Sequence, residues 1–152
     1  MKHLITVAVL LLVAQAAGAQ RLMVGEKAPD LKVKEWPYGK PEAENTPRFI
    51  EFFHSGSAPS VERVARLHEL ASARGTEICV ILVCHEDAAT VRAALGAGPL
   101  PYYVAIDEGG RSFTAYGVQY VPFAAITDRK GRLTWFGNPG KLTAGEIAKH
   151  ME

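Results

Sequence analysis

Phe49-Ile50-Glu51-Phe52-Phe53 runs directly into His54-Ser55-Gly56-Ser57-Ala58-Pro59-Ser60, and this junction decides the fold. Five residues rich in aromatic and β-branched side chains read as a strand. The serines that follow can cap a helix, and Pro59 supplies a fixed φ at its first turn. Val61, Val64, Ala65, Leu67, Leu70 and Ala71 then recur at helical spacing, and Gly75 reads as the C-terminal cap. Ile78 to Cys84 is apolar on both faces, the pattern of an interior parallel strand, so residues 49–84 make a βαβ unit.

Working outward, Leu31 to Lys34 reads as a short strand and Trp36 to Pro41 as a turn-rich loop. A helix is expected from Glu86 to Leu95, capped near Asp87, and a third buried strand from Tyr102 to Ile106. A Gly-rich turn and one or two helical turns lead to Tyr116-Gly117. Phe123 to Thr127 and Arg132 to Phe136 are strands joined by Asp128-Arg129-Lys130-Gly131, a composition suited to a tight antiparallel hairpin. The hydroxyl of Thr143 and the carboxylate of Glu146 fit a capping box at the start of the last helix. The pattern predicts one α/β domain over residues 20–152, with a central mixed sheet flanked by helices.

Composition narrows the function. The 152 residues are 48% apolar and 22% charged, enough for one domain with its own core. With 17 Lys and Arg against 16 Asp and Glu, the net charge of +1 is too balanced to track nucleic acid or an anionic membrane. Two cysteines cannot build a disulfide framework or a four-ligand zinc site. Lys2 and His3, the apolar run Leu4 to Val13, and Ala17-Gly18-Ala19 compose a secretory signal peptide over residues 1–19, so the domain is expected to be exported, periplasmic or secreted. Ten apolar residues reach only about 15 Å as a helix, half of a bilayer core, so a membrane contact is expected only through an uncleaved signal segment.

Cys79 and Cys84 lie in one extended run, five residues apart. At about 3.3 Å per residue they stand roughly 16 Å apart and point to opposite faces, beyond the reach of a disulfide. Both are expected as free thiols.

Several strings in this order resemble one family. Val24-Gly25-Glu26-Lys27-Ala28-Pro29-Asp30-Leu31 is similar to the entry segment of redoxins. Tyr116-Gly117-Val118-Gln119-Tyr120-Val121-Pro122 is similar to their Tyr-Gly-Val-x-x-x-Pro loop, and Asp128-Arg129-Lys130-Gly131-Arg132 to their Asp-Arg-x-Gly-Arg hairpin. Together with the strand-to-helix turn they resemble the TlpA-like branch of exported thiol-disulfide oxidoreductases, which implies a thioredoxin-like fold over essentially all of residues 24–150.

The resemblance also exposes a departure. Relatives carry Cys-x-x-Cys where this chain has Ser57-Ala58-Pro59-Ser60. A helix amino terminus lowers a thiol's pKa enough to make thiolate at neutral pH, whereas an alcohol stays far from ionising. Two alcohols form no mixed disulfide and store no electrons, so dithiol activity is not expected. The resemblance places Glu51 as the buried acid below the motif. It places Pro122 as the cis-proline facing it, with Val121 beside it positioned to pair with an extended peptide.

Residues nearby suggest other chemistry. His54 lies three residues before Ser57, the outline of a Ser–His nucleophile, but no Gly-x-Ser-x-Gly or orienting acid accompanies it. Capping explains Ser57 and Ser60 with less machinery. Cys84 and His85 end a parallel strand, which should bring them beside His54 and the Pro122 loop, where doubly wound sheets place ligands. One-thiol redox chemistry at Cys84, or a soft metal such as copper held by the thiol and imidazoles, is the alternative. No ligand spacing is diagnostic of a metal, and no cofactor is implied. The leading expectation is a binding or scaffold module that grips an extended peptide or partner protein near Pro122. The alternative is a thiol-dependent oxidoreductase using Cys84 or a partner's cysteines.

Overall fold

The computed structural model describes residues 21–42 and 44–152; the signal peptide expected over residues 1–19 lies outside the described residues. The strands are β1 (Val33–Glu35), β2 (Arg48–Phe53), β3 (Cys79–Cys84), β4 (Tyr103–Asp107), β5 (Phe123–Thr127) and β6 (Leu133–Gly137). The helices are α1 (Ala58–Arg74), α2 (Ala88–Leu95), α3 (Arg111–Ala115) and α4 (Ala144–His150), with a 3-10 turn at Pro139–Lys141.

The strands form one six-stranded sheet in the order β1-β4-β3-β2-β5-β6. β2, β3 and β4 run parallel, while β1, β5 and β6 are antiparallel to their neighbours. The sheet is therefore mixed, and its helix-flanked arrangement is the thioredoxin-like one. β3 is buried at every position, because a parallel strand between two others has no wet face.

Alternation divides the core in two. Phe49, Phe53, Val80, Leu82 and Cys84 pack beneath Leu67 and Ala71 of α1, Val91 of α2 and Ile147 of α4. Ile50, Phe52, Cys79, Ile81 and Val83 face the other way, onto Tyr116 and the segment around α3. The two cysteines thus occupy opposite faces as free, buried thiols, as their odd spacing requires. Phe52 anchors the second face, with Phe113 edge-on at 5.0 Å and Tyr116 at 5.2 Å between ring centroids. Burying a ring of that size contributes about 1.5–3 kcal/mol.

The start of the first strand departs from the sequence reading. The first strand begins at Val33 rather than Leu31, because the N–H of Lys32 is taken by the Ser112 hydroxyl at 2.7 Å. Gly75 is the C-cap of α1, as the sequence reading has it, in the right-handed conformation (φ −61°). A Cβ there would meet the Ala71 carbonyl oxygen at 2.6 Å, and close approach explains the glycine. His150 is half-buried with its ring 6.4 Å from that of Trp135.

Candidate functional site

β2 delivers the chain to a turn at residues 54–57, and Ser57 starts α1. Its backbone is extended and its side-chain oxygen accepts the N–H of Ser60 at 3.3 Å, which makes it the N-cap. The Ser57 hydroxyl donates to the carbonyl oxygen of Val121, 3.5 Å away, and Val121-Pro122 is a cis peptide. The head of α1 and the proline loop are thus in direct contact.

Ser60 does something other than cap the helix. It is buried, and its hydroxyl oxygen accepts the N–H of His54 at 3.2 Å, tying the end of β2 back onto α1. Neither serine is hydrogen-bonded to an imidazole. The Nδ1 atom of His54 instead accepts the N–H of Gly56 at 2.9 Å, which places its proton on Nε2 in the neutral ring. The Ser–His outline seen in the sequence is not assembled here. Ser55 is held by Glu86, whose carboxylate accepts from the Ser55 N–H at 2.7 Å and from its hydroxyl.

His54 and His85 face each other with ring centroids 5.4 Å apart, and His85 meets Phe113 edge-on at 4.5 Å. With Val118, Gln119, Tyr120 and Val121 they line a groove of about 320 Å³. Tyr120 lies 54% exposed on it, an uncommon position for a large ring in a small domain. Among the described residues, the N–H groups of Gln119, Tyr120 and Val121 have no main-chain partner.

The sequence reading grouped Cys84 with these residues, and that grouping needs correction. Position 84 ends β3 beside Phe53, but its side chain points into the helix-covered core. Burial, and then the nearby Glu86 charge, push its thiol well above the ordinary value, so it holds its proton. His54, His85 and Val121 share the groove; Cys84 does not line it. Among the described residues, no group of three or more His, Cys, Asp and Glu side chains could hold a metal ion.

Glu51 lies on the α1 side of β2 with a side chain only 2% exposed. Arg63 meets it with two hydrogen bonds, Nε to Oε1 at 2.9 Å and Nη2 to Oε2 at 3.2 Å. Burial raises the Glu51 pKa, and the Arg63 hydrogen bonds and charge pull against that rise without cancelling it. Arg63 went unread in the sequence. Its signal was the inward stripe of α1 itself: Ser60, Val64, Leu67 and Ala71 repeat at helical spacing, and a cation beside that stripe calls for a buried anion.

No protein-family profile matches the chain, and no curated protein matches it by sequence. Solved structures do match. One is a protein assigned as the thiol:disulfide interchange protein DsbE from Chlorobium tepidum, with TM-score 0.73 and 21% identity over 86% of this chain and 99% of the other. Another is StoA from Bacillus subtilis, with TM-score 0.67 and 15% identity over 84% and 100%. A third is a secreted disulfide oxidoreductase from Mycobacterium tuberculosis, with TM-score 0.58 and 14% identity over 70% and 81%. At these identities the likeness establishes the thioredoxin-like fold.

Proposed function

We propose that this chain is an exported thioredoxin-fold module of the thiol-disulfide oxidoreductase type that has given up dithiol chemistry and retains the peptide groove. One observation carries the reading: the Ser57 hydroxyl reaches the Val121 carbonyl at 3.5 Å, so the turn and the cis-proline loop meet where a dithiol catalyst would grip its substrate. Ser57 and Ser60 occupy, by position, the two cysteines of the TlpA-like motif. A serine hydroxyl there stays protonated, so it attacks no disulfide and carries no electrons. The N–H groups of residues 119–121, without a main-chain partner among the described residues, offer an extended chain the start of a β-pairing, and Tyr120 offers an apolar contact beside it. Export is supported by the leader composition of residues 1–19 and by the secreted character of the Mycobacterium tuberculosis relative.

The thiol alternative at Cys84 draws no support from the geometry, because a fully buried thiol with a raised pKa is a poor nucleophile.

The test is an amide NMR titration of the purified protein with a reduced, alkylated and therefore unfolded polypeptide. Selective shifts at Gln119, Tyr120, Val121 and His54, weakened in Tyr120→Ala, are expected. Shifts confined to other surfaces, or none at millimolar ligand, would contradict the reading.

A further inference from the structure

The other end of β2 carries a second site. A cavity of about 330 Å³ opens there, lined among others by Lys27, Arg48, Tyr116, Thr127, Arg129 and Lys130. Arg48 starts β2, so about 17 Å of strand separates it from Phe53 and the Ser57 turn. The cavity and the peptide groove therefore sit at opposite poles of the domain.

Arg48 and Thr127 are direct partners across the antiparallel β2·β5 ladder. Arg48 shares a face with Ile50 and Phe52 by alternation, so the guanidinium and the Thr127 hydroxyl stand on the cavity side together. Thr127 is only 2% exposed, and its Oγ1 is the one buried side-chain polar atom among the described residues without a hydrogen-bond partner. A buried hydroxyl left unpaired is costly, and such an atom calls for an occupant. The charges around it specify the occupant's sign. Lys27, Arg48, Arg129 and Lys130 line the cavity against two carboxylates, Asp30 and Glu44, and none of the four cations is in an ion pair among the described residues. Arg48 is half-buried, which makes it the cation with most to gain from an anion.

We propose that this cavity binds a phosphate-class oxyanion, seated between the Arg48 guanidinium and the Thr127 hydroxyl, with Lys27, Arg129 and Lys130 supplying the surrounding field. The planar guanidinium fork suits the oxyanion's paired oxygens, the hydroxyl donates to a third, and a surplus of two positive charges matches a doubly charged ion. The volume leaves room for a group esterified to the phosphate. This site is independent of the peptide groove, so the failure of either reading leaves the other standing.

The test is calorimetric titration of the full protein at constant ionic strength with inorganic phosphate in one arm and a phosphate monoester in the other. Saturable 1:1 binding is expected, weakened by about tenfold or more in Arg48→Gln, as for loss of a charge-assisted contact. Tighter binding of the monoester identifies a phosphorylated molecule as the ligand, and equal binding identifies the free ion. Thr127→Val keeps the shape and removes the orphaned hydroxyl. It should raise the ligand-free melting midpoint while weakening phosphate binding. No saturable binding up to tens of millimolar, or binding untouched by both variants while thermal melts report a native fold, would overturn the proposal.

Discussion

The two ends of β2 treat a buried polar side chain in opposite ways. Toward the Ser57 turn, Glu51 is enclosed on the α1 face and Arg63 answers it with two hydrogen bonds. At the strand's start, Thr127 is enclosed on the other face opposite Arg48, and nothing among the described residues answers its hydroxyl. The difference separates structure from readiness. A buried group satisfied from inside holds two elements together, whereas one left unsatisfied beside free cations is prepared for something from outside. The sheet gives both groups the same rigidity; only the partner supplied by the chain differs.

Breaking the satisfied end should have the largest effect on stability. Arg63→Ala strands a buried carboxylate, and a loss of about 3 kcal/mol is expected from urea melts at neutral pH. The sign with pH follows from the raised pKa of Glu51. A carboxyl that holds its proton more tightly when folded contributes stability below its unfolded pKa, and that contribution is lost as pH rises through the folded value. Removing Arg63 pushes the folded value higher still, so the deficit of Arg63→Ala should shrink toward about pH 4 and widen toward about pH 8. A deficit constant across that range would mean that Arg63 acts by packing alone.

Phe52→Ala removes the ring against which Phe113 and Tyr116 pack. It should cost about 3 kcal/mol by the same measurement. Unlike the Arg63 variant it should show no added pH dependence, which sharpens the contrast between a packing and an ionic contribution.

At the unsatisfied end the expected effect is smaller and reversed. Thr127→Val in ligand-free protein should gain up to about 1 kcal/mol, since a hydroxyl with no partner is replaced by a methyl of the same shape. A loss of similar size would mean that the hydroxyl has a partner in solution. Smallest of all, the thiols should be silent. Cys79 and Cys84 are buried and burial raises both pKa values, so native protein should resist a thiol label that reacts fully once urea unfolds it. Rapid native labelling of Cys84 would restore the one-thiol alternative.

How much of the structure was legible in the sequence depended on whether the signal was local. Strand β3 and its flanking helices were legible because an apolar run on both faces admits one placement, and the Thr143–Glu146 capping box was legible because its partners lie three residues apart. Ser57 as N-cap was likewise readable. Ser60 was misread: its hydroxyl serves His54, a neighbour across the turn rather than along the helix. Cys84 was placed by its strand's end correctly and by its face incorrectly, since the parity that sent Cys79 and Cys84 apart also turned Cys84 away from His54. The Arg63–Glu51 pair and the Arg48–Thr127 pair were invisible for one reason. Each joins residues on different elements, and side-chain spacing along the chain says nothing about register between elements.

We propose that the scaffold of a disulfide-exchange catalyst persists at the Ser57 turn and lacks only sulfur. Insulin-disulfide reduction by wild type and by the Ser57→Cys, Ser60→Cys double variant measures it most directly. Wild type should be inert, and the double variant should turn over many equivalents of insulin with dithiothreitol as reductant. A double variant that is folded, carries both new thiols and remains inert would contradict it.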